Sequence, residues 1–307
     1  MNTEDYLVSR YDKAVELLPP SLRIGARRLS RKERAAAEEI RLREGRRPTV
    51  VIDSLENEIG EYFVTKSEIN AVTEYVTRAS MHTYSDSIRN GYITAAGGYR
   101  IGVCGLIGYE NGVSFGFRSI SSLNIRISKE VNGCSEKIMP SILKNGYFES
   151  TLILSPPGFG KTTLLRDTIR ILSDGKEGVC NPHRISVCDE RGEIAGRSID
   201  GSFMDVGKHT DVLEGCCKAK GIEMLLRSMN PQIIALDEIT AEEDIFAIEK
   251  AANCGVRFLA TAHAYDVKDL YSRPLYKRLL ELNIFKNAVF IDRDDRKRTY
   301  RCVRLEE

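Results

Sequence analysis

A segment in the middle of the chain combines small residues, a lysine and two threonines in an order suited to binding phosphate groups. It consists of Ser155, Pro156, Pro157, Gly158, Phe159, Gly160, Lys161, Thr162 and Thr163. The order matches G-x-x-x-x-G-K-[ST] except at the first position, where Ser155 is small enough to replace glycine. Backbone N–H groups can curl around phosphate oxygens only where glycine allows a positive φ or a close approach.

Two polar side chains at the end of this segment complete the predicted chemistry. Lys161 is a point charge for β- and γ-phosphates, and the Thr162 hydroxyl is a ligand for Mg²⁺. The apolar run Thr151–Leu154 precedes the segment, and an amphipathic helix is expected from Thr162 to about Ser173. A glycine-rich turn before an ordinary helix is the alternative. The strand–loop–helix context favours a loop that binds ATP and Mg²⁺.

Two adjacent carboxylates follow another apolar run. Ile233–Leu236 is typical of a buried strand, and Asp237 and Glu238 come directly after it. Ligands of open α/β sheets bind at the carboxyl ends of the strands. We therefore expect Asp237 to hold Mg²⁺ through its water shell and Glu238 to orient and polarise an attacking water. Thr240 and Glu243 are predicted to form a capping box at the next helix.

Polar residues also follow two other predicted strands, so they are expected to face the same crevice. Arg184–Cys188 precedes three candidates for a second catalytic acid, which are Asp189, Glu190 and Glu193. Val256–Thr261 precedes His263, which is either a sensor of the γ-phosphate or a structural histidine. Three arginines are open between a phosphate contact and a simple ion pair, namely Arg191, Arg227 and Arg273.

The order of elements predicts two domains. In the second half, short apolar runs alternate with helical segments, which is typical of a parallel sheet with crossover helices. Residues 288–304 are typical of an antiparallel hairpin at the edge of that sheet. We therefore expect an α/β domain over residues 136–307, preceded by a smaller α+β domain over residues 1–135.

The predicted N-terminal domain mixes helices with antiparallel strands. Residues 1–37 have helical spacing with a break at Pro19 and Pro20, and residues 39–52 are strand-like. Residues 66–81 are again helical. Residues 91–106 predict a hairpin that turns at Gly97 and Gly98, and residues 123–127 predict a further strand.

Composition and charge restrict the classes of function. The chain has 307 residues, of which 42% are hydrophobic, and its net charge is +1, so no strong overall field attracts nucleic acid or membrane. Residues 21–48 hold ten Lys and Arg against four Glu. Aromatic residues that could stack bases are absent from that stretch, so a solvated helix face is the favoured interpretation. No strong nucleic-acid signal remains.

The cysteines and the apolar runs predict a reducing compartment without a membrane span. Eight cysteines occur without any C-x-x-C pair, so a four-cysteine zinc site is not expected, and the spacing of Cys180 and His183 is only a weak indication. No apolar run approaches the roughly 18 residues of a membrane helix, and the first residues do not match a signal peptide. We expect a cytoplasmic protein whose membrane association is peripheral, through partners.

Several stretches together resemble the stage III sporulation protein AA family, which is similar to the ATPases of type II and type IV secretion systems. In the second half these are TLILSPPGFGKTTLLRD, DERGEIAG, LLRSMNPQIIALDEI and TAHAYDVKDL. In the first half they are EEIRLREGRRP, SIRNGYITAAGGYRIGVCGL and SSLNIRISKEV. The phosphate loop is shared by many proteins, whereas the hairpin segment and SSLNIRI are more diagnostic. The resemblance covers nearly the whole chain.

This resemblance implies a RecA-like P-loop ATPase domain behind the smaller N-terminal domain. It also implies a homo-hexamer in the cytoplasm of the mother cell that energises membrane proteins of the channel complex between mother cell and forespore. Glu190, Glu238 and His263 match the acidic box, the Walker B glutamate and the histidine box of secretion ATPases. Those relatives often carry glycine before the Walker B glutamate, where this chain has Asp237. Whether Asp237 or Thr162 alone orders the metal is therefore open.

Two other functions are weighed beside this motor. The main alternative is a nucleic-acid translocase of the P-loop class, and the other is a scaffold that binds ATP without turning it over. The intact Glu238 argues against the scaffold. For the motor, we expect Arg100 or Arg118 of the N-terminal domain to complete a neighbouring subunit's site, because charge developing on the γ-phosphate needs a cation. Local ion pairing of both arginines is the equal alternative.

Overall fold

The protein is described from a computed structural model that covers residues 3–53, 55–77, 91–95, 99–110, 113–127, 131–196, 204–294 and 297–305. The chain divides into two compact units. The first comprises Met1–Lys129, and the second comprises Glu130–Ala195 with Met204–Glu307. The predicted hairpin turn at Gly97 and Gly98 lies outside the described residues, as does the end of the helix predicted to reach Met81.

The first unit combines helices with an antiparallel sheet. Its described helices are α1 (Thr3–Val15), α2 (Pro20–Arg27), α3 (Arg31–Ala36) and α4 (Lys66–Thr77). Its described strands are β1 (Ala37–Arg43), β2 (Thr49–Ile52), β3 (Leu55–Glu58), β4 (Tyr92–Ala95), β5 (Tyr99–Glu110) and β6 (Val113–Arg126). In the parts of this unit that are described, the strand order is β3-β2-β1-β6-β5-β4, with antiparallel neighbours throughout.

Local signals divide the predicted N-terminal helical stretch into three helices. Pro20 opens α2, where its missing N–H costs nothing. Ser30 caps α3, since its hydroxyl accepts from the Glu33 N–H at 3.3 Å while the Glu33 carboxylate accepts from the Ser30 N–H at 2.7 Å. The first helix packs through Tyr11, whose buried hydroxyl donates to the Ala26 carbonyl at 2.8 Å.

The second unit contains the phosphate-loop segment. Its described helices are α5 (Met139–Ile142), α6 (Lys161–Asp174), α7 (Lys218–Ser228), α8 (Glu242–Ala252), α9 (Val267–Ser272) and α10 (Pro274–Glu281). Its described strands are β7 (Leu143–Lys144), β8 (Tyr147–Phe148), β9 (Thr151–Leu154), β10 (Ile185–Asp189), β11 (Thr210–Glu214), β12 (Ile233–Leu236), β13 (Arg257–Ala262), β14 (Asn287–Asp294) and β15 (Lys297–Arg304).

A mainly parallel sheet forms the centre of the second unit. Over the residues that can be described, its strand order is β11-β10-β12-β13-β9-β14-β15, while β7 and β8 form a separate pair. Neighbours are parallel from β11 to β14, and β15 pairs antiparallel with β14. The parallel sheet and the terminal edge hairpin predicted from the sequence are both present.

Helices cover both faces of this sheet, because successive side chains of each strand point to opposite sides. In β12, Ile234 and Leu236 contribute to one hydrophobic cluster, whereas Ile233 and Ala235 contribute to the other. The first cluster receives apolar residues of α7, α8 and α10, and the second receives those of α6. Strands buried on both faces explain the uninterrupted apolar runs of the sequence.

The strand register brings several strand ends to one edge. Leu236 lies opposite Ala260 in the β12–β13 pair, and Ala262 lies opposite Leu154 in the β13–β9 pair. The residues that follow β9, β12 and β13 therefore emerge at the same carboxyl edge of the sheet. This edge is where ligands of open α/β sheets bind.

Two strands and one helix start differ from the sequence analysis. Strands β3 and β11 were not predicted, because both are partly or fully exposed and lack an apolar run. The predicted capping box of Thr240 and Glu243 is wrong, since α8 begins at Glu242. The Asp244 carboxylate accepts from the N–H groups of Thr240 and Ala241 at 3.2 Å each.

No helix within the described residues is long and apolar enough to cross a membrane.

A close contact between α7 and β10 gives a test of this packing. A Cβ added at Gly221 would lie 2.3 Å from Cys188 Sγ. Alanine improves helix propensity by about 1 kcal/mol, but overpacking a core costs about 1–3 kcal/mol. We expect Gly221→Ala to lower the free energy of unfolding, measured by urea denaturation, and Lys220→Ala at the exposed neighbouring position to leave it nearly unchanged.

The double variant Cys188→Ala/Gly221→Ala distinguishes steric overlap with the Cys188 sulfur from a general effect of alanine on the helix. In a Cys188→Ala background the sulfur is absent, so Gly221→Ala is expected to cost little or to stabilise. An equal loss in both backgrounds would contradict the predicted contact.

Candidate functional site

The loop between β9 and α6 has the backbone shape that its glycines allow. Gly158 and Gly160 have φ angles of 79° and 97°, in the left-handed region that side chains disfavour. Gly160 is the N-cap of α6, so the positive end of the helix dipole faces the loop. Ser155 at the first position is buried and donates from Oγ to the Pro156 carbonyl at 2.9 Å. Serine thus fits where the common pattern has glycine.

Lys161 extends along the inside of this loop. Its Nζ lies 3.3 Å from the Ser155 carbonyl, 3.4 Å from the Pro156 carbonyl and 3.0 Å from His263 Nδ1. Burial lowers the pKa of Lys161, while Glu238 and Asp237 act in the opposite direction. The ammonium is held by neutral acceptors rather than by a direct ion pair. Such weak partners leave its charge available to an anion in the loop.

The predicted metal residues contact each other directly. Thr162 Oγ1 donates to Asp237 Oδ2 at 2.9 Å, which links the start of α6 to the end of β12. Thr261, on the neighbouring strand β13, donates its hydroxyl to Asp237 Oδ1 and accepts from the Glu238 N–H at 2.8 Å. One buried threonine therefore orients both acids. Glu238 itself has a φ of 44°, a conformation that is rare outside glycine and that these contacts must stabilise.

His263 bridges the lysine and the glutamate. Its Nδ1 accepts from Lys161, which has donors only, so Nε2 carries the proton in a neutral ring and donates to Glu238 Oε1 at 2.9 Å. Tyr276 of α10 supports this arrangement. Its hydroxyl accepts from the His263 N–H at 3.4 Å and donates to the Ile239 carbonyl at 3.2 Å. The chain Lys161–His263–Glu238 is thus continuous.

Two of the three candidates for a second acid, Glu190 and Asp189, have different partners. Glu190 Oε2 lies 2.5 Å from Nζ of the buried Lys218. Asp189 is buried and accepts from the backbone N–H groups of Glu193, Ile194 and Ala195 at 2.8–2.9 Å. Burial raises the pKa of Asp189 to about 6 against these hydrogen bonds. Asp189 therefore orders the loop that follows β10 and is turned away from solvent.

These acids share one cleft with the acids that follow β12. Its lining consists of Asp189, Glu190, Arg191, Glu193, Lys218, Asp237 and Glu238. The expectation that the residues after β10 and β13 face the same crevice as the phosphate loop stays a prediction, since this lining includes neither His263 nor a residue of the loop. Glu190 is the candidate second acid whose carboxylate reaches a cation there, whereas the Asp189 carboxylate is occupied by backbone donors.

The three arginines whose roles the sequence left undecided have different surroundings. Arg191 approaches Glu238, with Nη1 3.9 Å from Oε2. Arg273 pairs with Asp269 through two nitrogen–oxygen contacts of 3.1 and 3.0 Å. Arg227 is exposed in the last turn of α7, before β12 begins, and so lies at the opposite end of that strand from Asp237. Arg227 is not placed to contact a phosphate in the loop of its own subunit.

Arg100 and Arg118 belong to the first unit. Arg100 lies on β5 with its guanidinium carbon 4.3 Å from the centroid of the Tyr92 ring, and Arg118 is exposed on β6. The idea that either arginine completes a neighbouring subunit's site stays a prediction.

Sequence reasoning missed three supporting residues. Thr261 is a polar residue within the buried run Phe258–Ala262 of β13, a pattern that could have drawn attention to it. Lys218 and Tyr276 have no such signal, because their partners lie on distant segments. No group of three or more His, Cys, Asp or Glu side chains in the described parts of the chain is arranged to hold a metal ion.

A mainly parallel sheet with helices on both faces, a Gly-Lys-Thr loop after one strand and an acidic pair after a neighbouring strand is an α/β fold of the P-loop class. The X-ray structure of the Legionella pneumophila ATPase DotB shares this fold over 90% of this chain and 80% of its own, with 15% identity and a TM-score of 0.58. The pilus retraction motor PilT with bound ADP shares it over 97% and 82%, with 14% identity and a TM-score of 0.55. The predicted α/β fold class is confirmed.

The family follows from the sequence comparisons. The family described as Sporulation stage III, protein AA, matches residues 10–304. Stage III sporulation protein AA of Bacillus subtilis (strain 168) is 35% identical over 282 residues, which is 92% of this chain and 91% of that protein. The chain belongs to the sporulation stage III protein AA family, as its motifs suggested.

Thr261 gives a test of the site's architecture. Thr261→Val keeps the shape but leaves Asp237 and the Glu238 N–H without their shared partner. An unmade hydrogen bond of a buried group costs about 1–3 kcal/mol, so we expect a loss of that order in urea denaturation. Thr261→Ser retains the hydroxyl and is expected to lose less, and Thr299→Val on exposed β15 serves as the control. Equal stability of the Val variant and the parent chain would rule out this role.

Proposed function

We propose that this chain hydrolyses ATP with Mg²⁺ at the loop Ser155–Thr163. The observation that supports this most strongly is the convergence of Lys161, Thr162, Asp237 and Glu238 at one sheet edge. These residues come from two segments that are far apart in the sequence. Their types match the needs of phosphoryl transfer, which depends on positioning and on stabilising charge.

The loop supplies the binding energy for the phosphate chain. Gly158, Phe159, Gly160 and the first residues of α6 offer backbone N–H groups at a helix N-terminus, where anions are stabilised. Lys161 adds a positive charge that is desolvated and poorly neutralised. A nucleotide phosphate would replace the carbonyl and imidazole partners of Lys161 with a full negative charge.

The residues around Asp237 fit a magnesium ion. Mg²⁺ prefers oxygen ligands and is usually held by one or two protein groups with water and phosphate oxygens. The Thr162 hydroxyl and the Asp237 carboxylate already face each other at 2.9 Å. We propose that Thr162 binds the ion directly and that Asp237 binds it through its water shell. Bound there, the ion neutralises negative charge on the phosphates.

Glu238 is the proposed catalytic base. In hydrolysis a water attacks the γ-phosphorus of ATP, and its proton passes to the Glu238 carboxylate. The bond between the γ-phosphorus and the β–γ bridging oxygen breaks, and ADP leaves with that oxygen. His263 is a donor to Glu238 at 2.9 Å, so the carboxylate must exchange this hydrogen bond for one to water. We propose that His263 then donates to the γ-phosphate. Glu190, with its partner Lys218, is the proposed second acid of the cleft.

Family membership and the shared fold extend the proposal to the cell. We propose that the chain acts as a homo-hexameric motor in the mother-cell cytoplasm and energises membrane proteins of the channel complex during sporulation. The family relationship and the likeness to the fold of the ATPase DotB and the motor PilT support this. A pull-down from sporulating cells, with the parent chain and with Lys161→Ala, tests it. Absence of channel proteins from both samples contradicts it.

The nucleic-acid translocase receives less support. The arginines of residues 21–48 largely face carboxylates: Arg23 and Arg27 contact Glu16, Arg34 contacts Asp12, and Arg43, Arg47 and Arg31 contact other acids. A nucleic-acid footprint needs cations that are free to bind phosphates. The basic stretch is neutralised within its own unit, so we favour the motor.

Removal of the loop lysine is the primary test. We expect Lys161→Ala to weaken ATP binding at least about tenfold and to abolish turnover, because a charge-assisted contact to the β- and γ-phosphates is lost. Fluorescent-nucleotide titration and phosphate release measure the two effects. Lys176→Ala removes an exposed lysine just beyond the same helix and is the matched control. Unchanged binding and turnover in Lys161→Ala would contradict the assignment of this loop as the ATP site.

The catalytic base is tested separately from binding. We expect Glu238→Gln to bind ATP while hydrolysing it at least about tenfold more slowly, since an amide cannot accept the proton. Glu242→Gln, at an exposed acid that contacts Arg278, is the control. Normal turnover in Glu238→Gln combined with an inactive Glu190→Gln would move the base to the acid that follows β10.

A further inference from the structure

Arg298 lies at the same sheet edge as the phosphate loop. It is the second residue of β15 and pairs with Arg293 near the end of β14. Strand β14 is the parallel neighbour of β9, which leads into the loop, and Phe290 lies opposite Leu154. The strands therefore carry the start of β15 to the edge where the loop begins.

The guanidinium of Arg298 lies directly against the loop. A Cβ built on Gly160 would be 3.0 Å from Cζ, 3.2 Å from Nε and 3.4 Å from Nη1 of Arg298. Three atoms of the planar group thus face the α-carbon of one glycine. Gly160 precedes Lys161, and its own N–H belongs to the set that surrounds phosphate in loops of this type. The arginine therefore brings a positive charge next to the predicted anion cradle.

The charge of Arg298 has no carboxylate partner in the described part of the chain. Arg298 forms no ion pair with an acid among the described residues, and its side chain is exposed. Arg301, three residues further on, is different: it contacts Asp292 at 3.7 Å and lies 4.6 Å from the Phe290 ring centroid. Arg298 on β15 adds its positive charge to those of the helix dipole and Lys161, so an anion bound in the loop would be attracted by all three.

The face of β15 fixes which way Arg298 points. Alternate residues of a strand share a face, so Arg298 lies with Tyr300 and Cys302, which pack against the hydrophobic cluster that contains α6. Burial raises the pKa of Tyr300 and of Cys134, and the nearby positive charge of Arg298 acts in the opposite direction on both. Arg301 belongs to the opposite face. The two arginines thus carry the same charge on one strand, and only Arg298 contacts the loop.

We propose that Arg298 is a nucleotide-binding residue that contacts the phosphate chain shared by ADP and ATP. This inference rests on the proposed ATPase function. Its guanidinium offers five N–H donors in a fork suited to phosphate oxygens, and it lies beside Gly160, the residue before Lys161 in the phosphate loop. Because ADP and ATP both carry that phosphate, Arg298 stabilises the bound nucleotide in the ground state and the transition state alike.

Uniform binding has a distinct kinetic signature. We expect Arg298→Ala to raise the Kd of fluorescent ADP and of a non-hydrolysable ATP analogue by about tenfold each, which corresponds to about 1.4 kcal/mol. At saturating ATP the kcat should stay within about twofold, while KM rises with the Kd. Arg298→Lys should recover part of the affinity, because the charge remains while the fork is lost. The control Arg301→Ala should bind both nucleotides as the parent chain does.

The outcomes separate this inference from the proposed function. If Arg298→Ala binds both nucleotides like the parent chain while Lys161→Ala loses them, the role of Arg298 is overturned and the ATPase remains. If the parent chain binds no nucleotide, both fail. A drop in kcat at unchanged KM would also overturn the inference, because it indicates a transition-state role. Should circular dichroism show that Arg298→Ala is misfolded, Arg298→Gln, which keeps a hydrogen-bonding side chain without the charge, must raise both Kd values by a similar factor.

Discussion

Thr162, at the start of α6, donates a hydrogen bond to Asp237, at the end of β12, and the geometry of the site depends on that contact. It can form only because β9, β13 and β12 are parallel neighbours whose ends are level. Thr261 on the middle strand then ties Asp237 to Glu238. A shift in strand register would move Thr261 to the opposite face, and both acids would lose their shared support. The register of the parallel sheet is therefore the constraint that places Asp237, Glu238 and the loop together.

The charges at this edge form a hydrogen-bonded series in which each polar group has a partner. Lys161 donates to His263, His263 donates to Glu238, and Arg191 lies beside the same carboxylate. A binding anion would compete for Lys161, and any release of His263 would free Glu238 to accept from water. Binding of an anion in the loop would therefore affect the hydrogen bonding of Glu238, because only two hydrogen bonds separate Lys161 from Glu238. Tyr276 adds a contact to the backbone of this series, since its hydroxyl accepts from the His263 N–H at 3.4 Å.

In the first unit, most of the described charged side chains are paired with each other. Its helices and antiparallel sheet carry many arginines, and carboxylates such as Glu16 and Glu56 lie beside them. Exposed pairs of this kind contribute little to stability, about 0–1 kcal/mol each, but they reduce the field that the basic stretch would otherwise produce. In the second unit, by contrast, Lys161 and Arg298 remain without carboxylate partners within the described residues. The cations beside the loop thus lack carboxylate partners in the part of the chain that is described, whereas most arginines of the basic stretch in residues 21–48 have them.

The sequence by itself determined the features that depend on neighbouring residues. The shape of the loop follows from Gly158 and Gly160, because a positive φ is a property of single positions, and buried parallel strands are visible as apolar runs. Tertiary structure alone decided the contacts that join distant segments, such as Thr261 with Asp237 and Arg298 with Gly160. It also placed the exposed edge strand β11 and the pairing of Glu190 with Lys218, neither of which has a local pattern. Thr162 and Asp237 are 75 positions apart, and only strand register determines that they meet.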